Sequence, residues 1–337
     1  MRRLILMMGI AAMAFTSCSK DIVINTTKGH AIDFRVTTKT RAVETTSANL
    51  STFYVTAINK SGNNFYTNAT YIKIAEYFCS TPTYYWPVDG SSLSFYAYAP
   101  SASVLGGTLT IDNNTKTLKG FSPAKEISDQ QDFITATATG SNKDALNGVA
   151  LRFDHQLAQI EVKAKNSNEG YIYKIAGVRI ANSVSKGDFD FTTSEWTLDQ
   201  NYRSSYQVTY NDPITLTSFG SNIMKSVGDN AMLIPQQLVQ WDPKTDTSNS
   251  QKGAYISVYA QITTATGARI HPISEDEYAW LAVPINTEWE SGNKYVYTLD
   301  FTEGAGYTDP TDGPAKKVFG NLIKIKLNIE PWEEMAR

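Results

Sequence analysis

Residues 85–100 read YWPVDGSSLSFYAYAP, and this stretch decides the fold class. After the turn signal Asp89-Gly90, side chains alternate with a period of two from Leu93 to Tyr98. Such alternation is typical of a half-buried β-strand, because successive side chains of a strand point to opposite faces. The stretch therefore predicts a tight turn followed by a strand over 93–98.

The same alternation, rich in Val, Ile, Tyr, Phe and Thr, recurs along the chain on both sides of this strand. The predicted strands are 32–37, 53–59, 71–78, 93–98, 108–111, 132–137, 149–153, 159–165, 171–180, 231–234, 254–262, 278–284, 294–301 and 323–329. Short strands separated by turn signals predict an all-β chain built as two tandem antiparallel β-sandwiches.

The polar segment 166–170 (NSNEG) divides these strands into two sets. We expect one sandwich over 42–168 and a second over 169–337. The loop-rich segment 183–217 is an alternative position for the linker.

The first seventeen residues have the organisation of an export signal. A basic Met1-Arg2-Arg3 precedes an apolar run over 4–15, and small residues precede Cys18. The ending Phe-Thr-Ser-Cys resembles a bacterial lipobox, which predicts acylation of Cys18 and an outer-membrane anchor facing the cell surface. Two or three acyl chains hold a protein durably on a bilayer. With Cys18 used for lipid, we expect Cys79 to be a buried, small apolar residue beside Phe78.

Composition excludes several classes of protein. The 337 residues carry a net charge of −3 with acids and bases interspersed, which argues against a nucleic-acid partner. Two cysteines are too few for a disulfide scaffold or a Cys-rich zinc site. His30, His155 and His271 lie far apart, and none has a metal-ligand spacing. No metal, cofactor or catalytic residue is predicted.

Two residue clusters invite a functional interpretation. The acidic run 275–277 is interpreted as a solvated turn, although a surface glycosidase with two opposed carboxylates stays open as an alternative. The aromatic run 84–87 is interpreted as part of the sandwich rim rather than a sugar-stacking site. We interpret His155 as a hydrogen-bonded residue of the same rim.

Four segments of the sequence match those of a known family: YWP at 85–87, LSFYAYAP at 93–100, DFI at 132–134 and LRFDHQLAQI at 151–160. Together they resemble the Mfa-like fimbrillins of Bacteroidota, most specifically over 85–165. The resemblance implies transthyretin-like sandwiches, export as a lipoprotein, and assembly into pili by strand exchange after an Arg-specific protease trims the N-terminus. It implies other fimbrillin subunits as partners, a host or bacterial surface receptor as a candidate partner, and no catalysis.

The two ends of the mature chain supply strands suited to this exchange. Ile32, Phe34 and Val36 alternate with polar residues and precede a basic segment in which a protease would cut between Arg41 and Ala42. Near the other end, the predicted donor segment 318–330 contains a strand whose apolar face consists of Ile323, Ile325, Leu327 and Ile329. Segments 31–37 and 323–329 each span about 23 Å at ~3.3 Å per residue. We expect residues 18–41 to form a lipidated leader whose first strand is removable, and the late strand to replace it.

A lipid-anchored monomer that binds a glycan or a host surface is the alternative, as is a pilus anchor or tip subunit.

Overall fold

A computed structural model describes residues 30–36, 50–224, 230–244 and 252–332. Within these ranges nearly all regular structure is β, which confirms the predicted all-β class. The strands are β1 (Phe34–Val36), β2 (Thr52–Asn59), β3 (Asn64–Ile74), β4 (Tyr77–Ser80), β5 (Leu93–Ala99), β6 (Thr108–Ile111), β7 (Lys116–Phe121), β8 (Ile134–Gly140), β9 (Val149–Leu151), β10 (Asp154–His155), β11 (Ala158–Lys165), β12 (Tyr171–Val184), β13 (Gly187–Asp190), β14 (Glu195–Leu198), β15 (Arg203–Thr215), β16 (Ser221–Asn222), β17 (Ala231–Leu233), β18 (Gln236–Gln237), β19 (Tyr255–Thr264), β20 (Arg269–His271), β21 (Ala279–Pro284), β22 (Glu288–Trp289), β23 (Asn293–Asp300), β24 (Tyr307–Thr308) and β25 (Lys324–Pro331).

Helical structure in the described ranges is limited to short pieces. These are α1 (Ala102–Leu105) and three 3-10 helices (Ile127–Asp129, Asn142–Asp144, Pro310–Asp312). None of the helices described is both long and apolar enough to cross a membrane.

Two sheets are built largely from the first half of the chain. The larger has eight strands in the order β10-β8-β5-β2-β3-β4-β1-β9, and the smaller has the order β14-β13-β7-β6. One face of the larger sheet carries a core that includes Phe34, Phe53 and Phe95. Its other face contributes Tyr98 to a core shared with Phe189 of the smaller sheet.

Two further sheets enclose the core of the second half. One has the order β16-β11-β23-β25 with β17 paired to β11, and the other has the order β15-β12-β19-β21-β24 with β20 paired to β19. Their apolar faces meet in a cluster that includes Ile160, Val178, Val258 and Tyr297. A separate pair, β18 and β22, completes the sheet inventory of the described residues.

Sheet pairing crosses the expected division at residue 168 in both directions. Strand β11, before that point, pairs in parallel with β23, and its Ile160 packs in the second-half core. The hairpin of β13 and β14, after that point, adds to β7 of the first half. This hairpin and β15 occupy the segment 183–217, so much of the segment expected to be loop-rich is regular strand.

Cys79 is half-buried, whereas the sequence predicted a buried residue. The alternation of β4 explains the difference, since Phe78 and Ser80 take the buried positions.

Candidate functional site

Strand β1 lies between two neighbours in the interior of the eight-stranded sheet. It pairs antiparallel with β4 through Phe34 and Phe78, and in parallel with β9 from Phe34–Val149 to Val36–Leu151. The backbone N–H of Val149 donates to the carbonyl of Asp33 at 2.9 Å. Because both of its edges are paired, β1 closes a gap that would otherwise expose two strand edges.

The side chains of β1 and its preceding residues complete the aromatic core. Ile32 and Phe34 are 1% and 0% exposed. The ring of Phe34 meets Tyr71 and Phe95 edge to face, with centroids 4.7 and 5.0 Å apart. Val36 is half-buried against the same core. Edge-to-face contacts add to the free energy of apolar burial, so Phe34 is the principal anchor of this strand.

The run at 84–87 holds the chain just before β1. The N–H of Ile32 donates to the carbonyl of Tyr84 at 2.8 Å, and the N–H of Trp86 donates to the carbonyl of His30 at 3.0 Å. Trp86 is 3% exposed, and Tyr84 stacks on Tyr66 with centroids 4.2 Å apart. These contacts agree with the interpretation of the run as part of the rim.

Asp33 is a half-buried carboxyl group on the segment leading into β1. Burial raises the pKa of Asp33 above its ordinary value. An acid whose pKa is higher in the folded state binds more protons there than in the unfolded chain, so stability falls as pH rises through that range. The protonated form of Asp33 is therefore compatible with this segment's folded position, and ionisation of the carboxyl group weakens it.

Strand β25 lies at the edge of its sheet. It pairs antiparallel with β23 over eight residues, from Lys324–Asp300 to Pro331–Asn293. Ile323, just before the strand, is 5% exposed, but burial decreases along the strand. Ile325 and Leu327 are half-buried and Ile329 is 53% exposed. The apolar face predicted for this segment exists, but its C-terminal part is open to solvent.

The hydrogen bonds of β25 define which of its residues direct their backbone N–H and C=O groups toward β23. Trp332 donates its N–H to the carbonyl of Gly292 at 2.8 Å, one register position beyond the Pro331–Asn293 pair. In an antiparallel ladder, residues that face the partner alternate with residues that face away. Positions 324, 326, 328 and 330 therefore bond to β23, and positions 325, 327 and 329 direct their N–H and C=O groups to the free edge.

Trp332 fastens the end of β25 to the first half of the chain. Its ring stacks on His155 with centroids 4.3 Å apart and an interplanar angle of 14°. The Nδ1 atom of His155 lies 2.6 Å from Oδ2 of Asp132, in agreement with the interpretation of His155 as a hydrogen-bonded residue. The stack with Trp332 was not predicted, because no local pattern connects residues 177 positions apart.

Three predicted site residues, Cys18, Arg41 and Ala42, lie outside the described residues. The acidic run 275–277 is exposed in the turn before β21. In the described ranges no three His, Cys, Asp or Glu side chains form a group that could bind a metal ion.

A family model described as fimbrillin-like matches residues 40–332. A fimbrial protein from Bacteroides vulgatus ATCC 8482 has 17% identity and a TM-score of 0.60, with 90% of this chain and 100% of that chain covered. A putative cell adhesion protein from Bacteroides uniformis ATCC 8492 has 16% identity and a TM-score of 0.51, covering 90% and 99%. One from Bacteroides ovatus ATCC 8483 has 18% identity and a TM-score of 0.51, covering 92% and 100%.

No match to this chain was found among curated proteins. The solved structures share the fold, and the family model covers most of the chain, including the stretch 85–165 on which the resemblance rested. The chain belongs to the fimbrillin-like family.

Proposed function

We propose that this protein is the precursor of an adhesive fimbrial subunit at the cell surface. It is exported as a lipoprotein acylated on Cys18, is cut between Arg41 and Ala42, and polymerises when β25 of one subunit replaces β1 of the next. Family membership and the fimbrial and cell-adhesion proteins of similar fold support the general role. The observation that carries the specific mechanism is the contrast between β1, paired on both sides and buried, and β25, a half-exposed edge strand.

Cleavage after Arg41 would separate β1 from the rest of the chain. Val36 ends β1 and Arg41 follows five positions later. The match to the family model starts at residue 40, so β1 lies outside the matched part. Loss of β1 would uncover the pockets of Ile32 and Phe34, at roughly 1.5–3 kcal/mol for each side chain. It would also leave the facing edges of β4 and β9 unpaired.

The late strand gains burial when it moves into this slot. In its own sheet β25 is paired on one side, with Ile325 and Leu327 half-buried and Ile329 largely exposed. In the slot it would be paired on both sides, and alternate apolar side chains would enter closed pockets. Addition of a strand through backbone hydrogen bonds and alternate pockets is a known mode of peptide recognition. We expect the pairing on both sides and the closed pockets to offset the loss of the eight-residue pairing with β23.

Each exchange leaves a free slot at one end and a free donor strand at the other. A head-to-tail contact of this kind does not close on itself and so generates a fibre.

Proteolysis tests the first step. Incubation of the purified precursor with an Arg-specific protease is expected to give a product that begins at Ala42, followed by a ladder of oligomers on gels of unheated samples. N-terminal sequencing and gel mobility measure the two events separately. Arg41→Gln is the matched control and should remain uncut and unladdered. A precursor that is cut after Arg41 yet stays monomeric would refute strand exchange.

Leu327→Asp tests the donor strand. We expect normal cleavage but no ladder, because an unpaired carboxylate in a closed apolar pocket costs several kcal/mol. In its own sheet Leu327 is half-buried, so the fold should tolerate the change better than the slot does. Lys326→Ala, on the exposed face of the same strand, is the control and should ladder normally. Deletion of residues 319–337 should also abolish the ladder without preventing the cut. Ladders from the Leu327→Asp protein would contradict the assignment of β25 as donor.

A second candidate function is a pilus anchor or tip subunit, or a lipid-anchored monomer that binds a glycan or a host surface. The observation that favours it is the retention of β25 in its own sheet, with Trp332 stacked on His155 beyond it. Mass spectrometry of the cell-associated protein discriminates these functions. Acylated Cys18 would favour an anchor or monomer, whereas an N-terminal Ala42 would favour a stalk or tip subunit.

A further inference from the structure

The free edge of β25 carries a sequence that is complementary to itself when two copies pair antiparallel. The contact that it would form is separate from the proposed strand exchange. The strand reads KIKLNIEP over 324–331. If two copies of this strand pair antiparallel with Leu327 opposite itself, Lys324 of each copy lies opposite Glu330 of the other. Ile325 lies opposite Ile329, and Lys326 opposite Asn328. Cross-strand pairs of opposite charge and of β-branched side chains stabilise a sheet.

The directions of the backbone N–H and C=O groups of β25 agree with this register. The residues that direct N–H and C=O groups to the free edge are Ile325, Leu327 and Ile329, and no hydrogen bond uses those groups within the described part of the chain. These three residues are the ones that would face one another across the new ladder, and each pair would exchange two hydrogen bonds. Pro331 has no N–H, so the ladder weakens just beyond them.

The side chains of the second copy would also cover an open cleft whose lining includes apolar side chains and Gln240. Leu322, Ile323 and Ile325 line this cleft on one side, and Val283 and Tyr307 line it on the other. Leu322 is 47% exposed and Ile329 is 53% exposed. In the proposed register, Ile329 of the second copy lies opposite Ile325, at the mouth of the cleft. The exposed side chain of Ile329 would thus become buried in each copy.

Lysines on an edge strand commonly prevent association with other strands. Lys324 already forms an ion pair with Glu303 of its own chain, which neutralises part of its charge. Glu330 of the second copy would lie opposite Lys324 and add a second carboxylate to this pair, and twofold symmetry repeats the contact. The second lysine, Lys326, meets the neutral Asn328.

We infer that the uncut protein forms a twofold dimer through β25, in which the five-stranded sheets of two copies join into one. The occupant of the edge is a second copy of this chain. The contact is reciprocal and closed, so it produces dimers and not fibres. A subunit whose β25 has entered another subunit's slot loses this interface, and the dimer therefore belongs to the unprocessed protein.

Charge reversal tests the register. Sedimentation equilibrium of the uncut full chain should detect a reversible dimer. Lys324→Glu and Glu330→Lys should each raise the Kd about fivefold to thirtyfold, since each places two like-charged pairs across the interface. The double variant K324E/E330K restores opposite charges and should return the Kd to within about threefold of the original. Circular dichroism should show that all three variants remain folded. A chain that stays monomeric, or a dimer whose Kd is indifferent to both reversals, would overturn the inference.

Disulfide trapping provides an independent measurement. Residues 326 and 328 would form a non-hydrogen-bonded pair, whose Cα atoms lie ~4.5 Å apart and within disulfide range. Mixing Lys326→Cys protein with Asn328→Cys protein under mild oxidation should give a crosslinked dimer. Each variant alone is the matched control for crosslinking through the native cysteines, and it should give only background amounts of crosslinked dimer. Equal crosslinking in the mixture and in the single variants would exclude this register. The reaction requires no protease and no slot, so its result is separate from the outcome of the exchange experiment.

Discussion

Replacing Phe34 by alanine is expected to lower the free energy of unfolding of the precursor by about 4 kcal/mol. Phe34 is fully buried and touches Phe53, Tyr71 and Phe95 edge to face. Truncation removes apolar burial and leaves a cavity among rings fixed by the surrounding strands. Urea titration followed by tryptophan fluorescence is suitable, because the buried Trp86 packs against Phe95.

The effect of Phe34→Ala should depend on processing. After cleavage and removal of β1, the remaining subunit no longer contains residue 34, so variant and parent should then have equal stability. Arg35→Ala, on the exposed position of β1, is the matched control and should change the free energy of unfolding by less than about 0.5 kcal/mol. A loss below about 1 kcal/mol in the Phe34 variant would mean that β1 is not a principal part of this core.

Replacing Asp309 by alanine is expected to cost about 3–5 kcal/mol of stability in the second half of the chain. Asp309 is fully buried and lies 3.4 Å from Nη1 of Arg179. Its carboxylate also accepts hydrogen bonds from the hydroxyls of Ser257 and Tyr255 and from the N–H of Thr311. Its removal would leave the guanidinium and these donors without their acceptor.

A double-mutant cycle identifies the cause of this loss. If the uncompensated charge of Arg179 dominates, R179M together with D309A should recover a substantial part of the stability lost in D309A alone. Asp309→Asn keeps the shape and one acceptor and should cost less than the alanine variant. Asp312→Asn, exposed three positions later, is the control. Strict additivity of the two substitutions, measured by urea unfolding, would assign the loss to the lost hydrogen bonds instead.

Local pattern was sufficient to predict many of the strands. The strand predicted over 93–98 is observed as Leu93–Ala99, and that predicted over 53–59 as Thr52–Asn59. The strand predicted over 32–37 is shorter, at Phe34–Val36, but its buried positions are the predicted Ile32 and Phe34. Alternation with a period of two identifies a strand with one buried face, so the local sequence predicts both the strand and its buried side chains.

Pairing partners could not be predicted in the same way. The hairpin over 187–198 has weak apolar alternation, and its place beside β7 depends on Phe189 filling a core with Phe133 and Trp196. Likewise, β11 joins β23 over a separation of more than a hundred residues. Such contacts depend on which faces remain uncovered after the other strands have paired.

The sequence by itself determined the all-β class, the fimbrillin-like resemblance and the apolar faces of the first and last strands, because each depends on residues close together in the chain. Only the tertiary structure decided that β1 is enclosed between β4 and β9 while β25 lies at an edge beside the Trp332–His155 stack. The physical reason is that a strand's own residues specify which face is buried, whereas the strands beside it, brought from distant parts of the chain, decide whether its backbone is paired on one side or two.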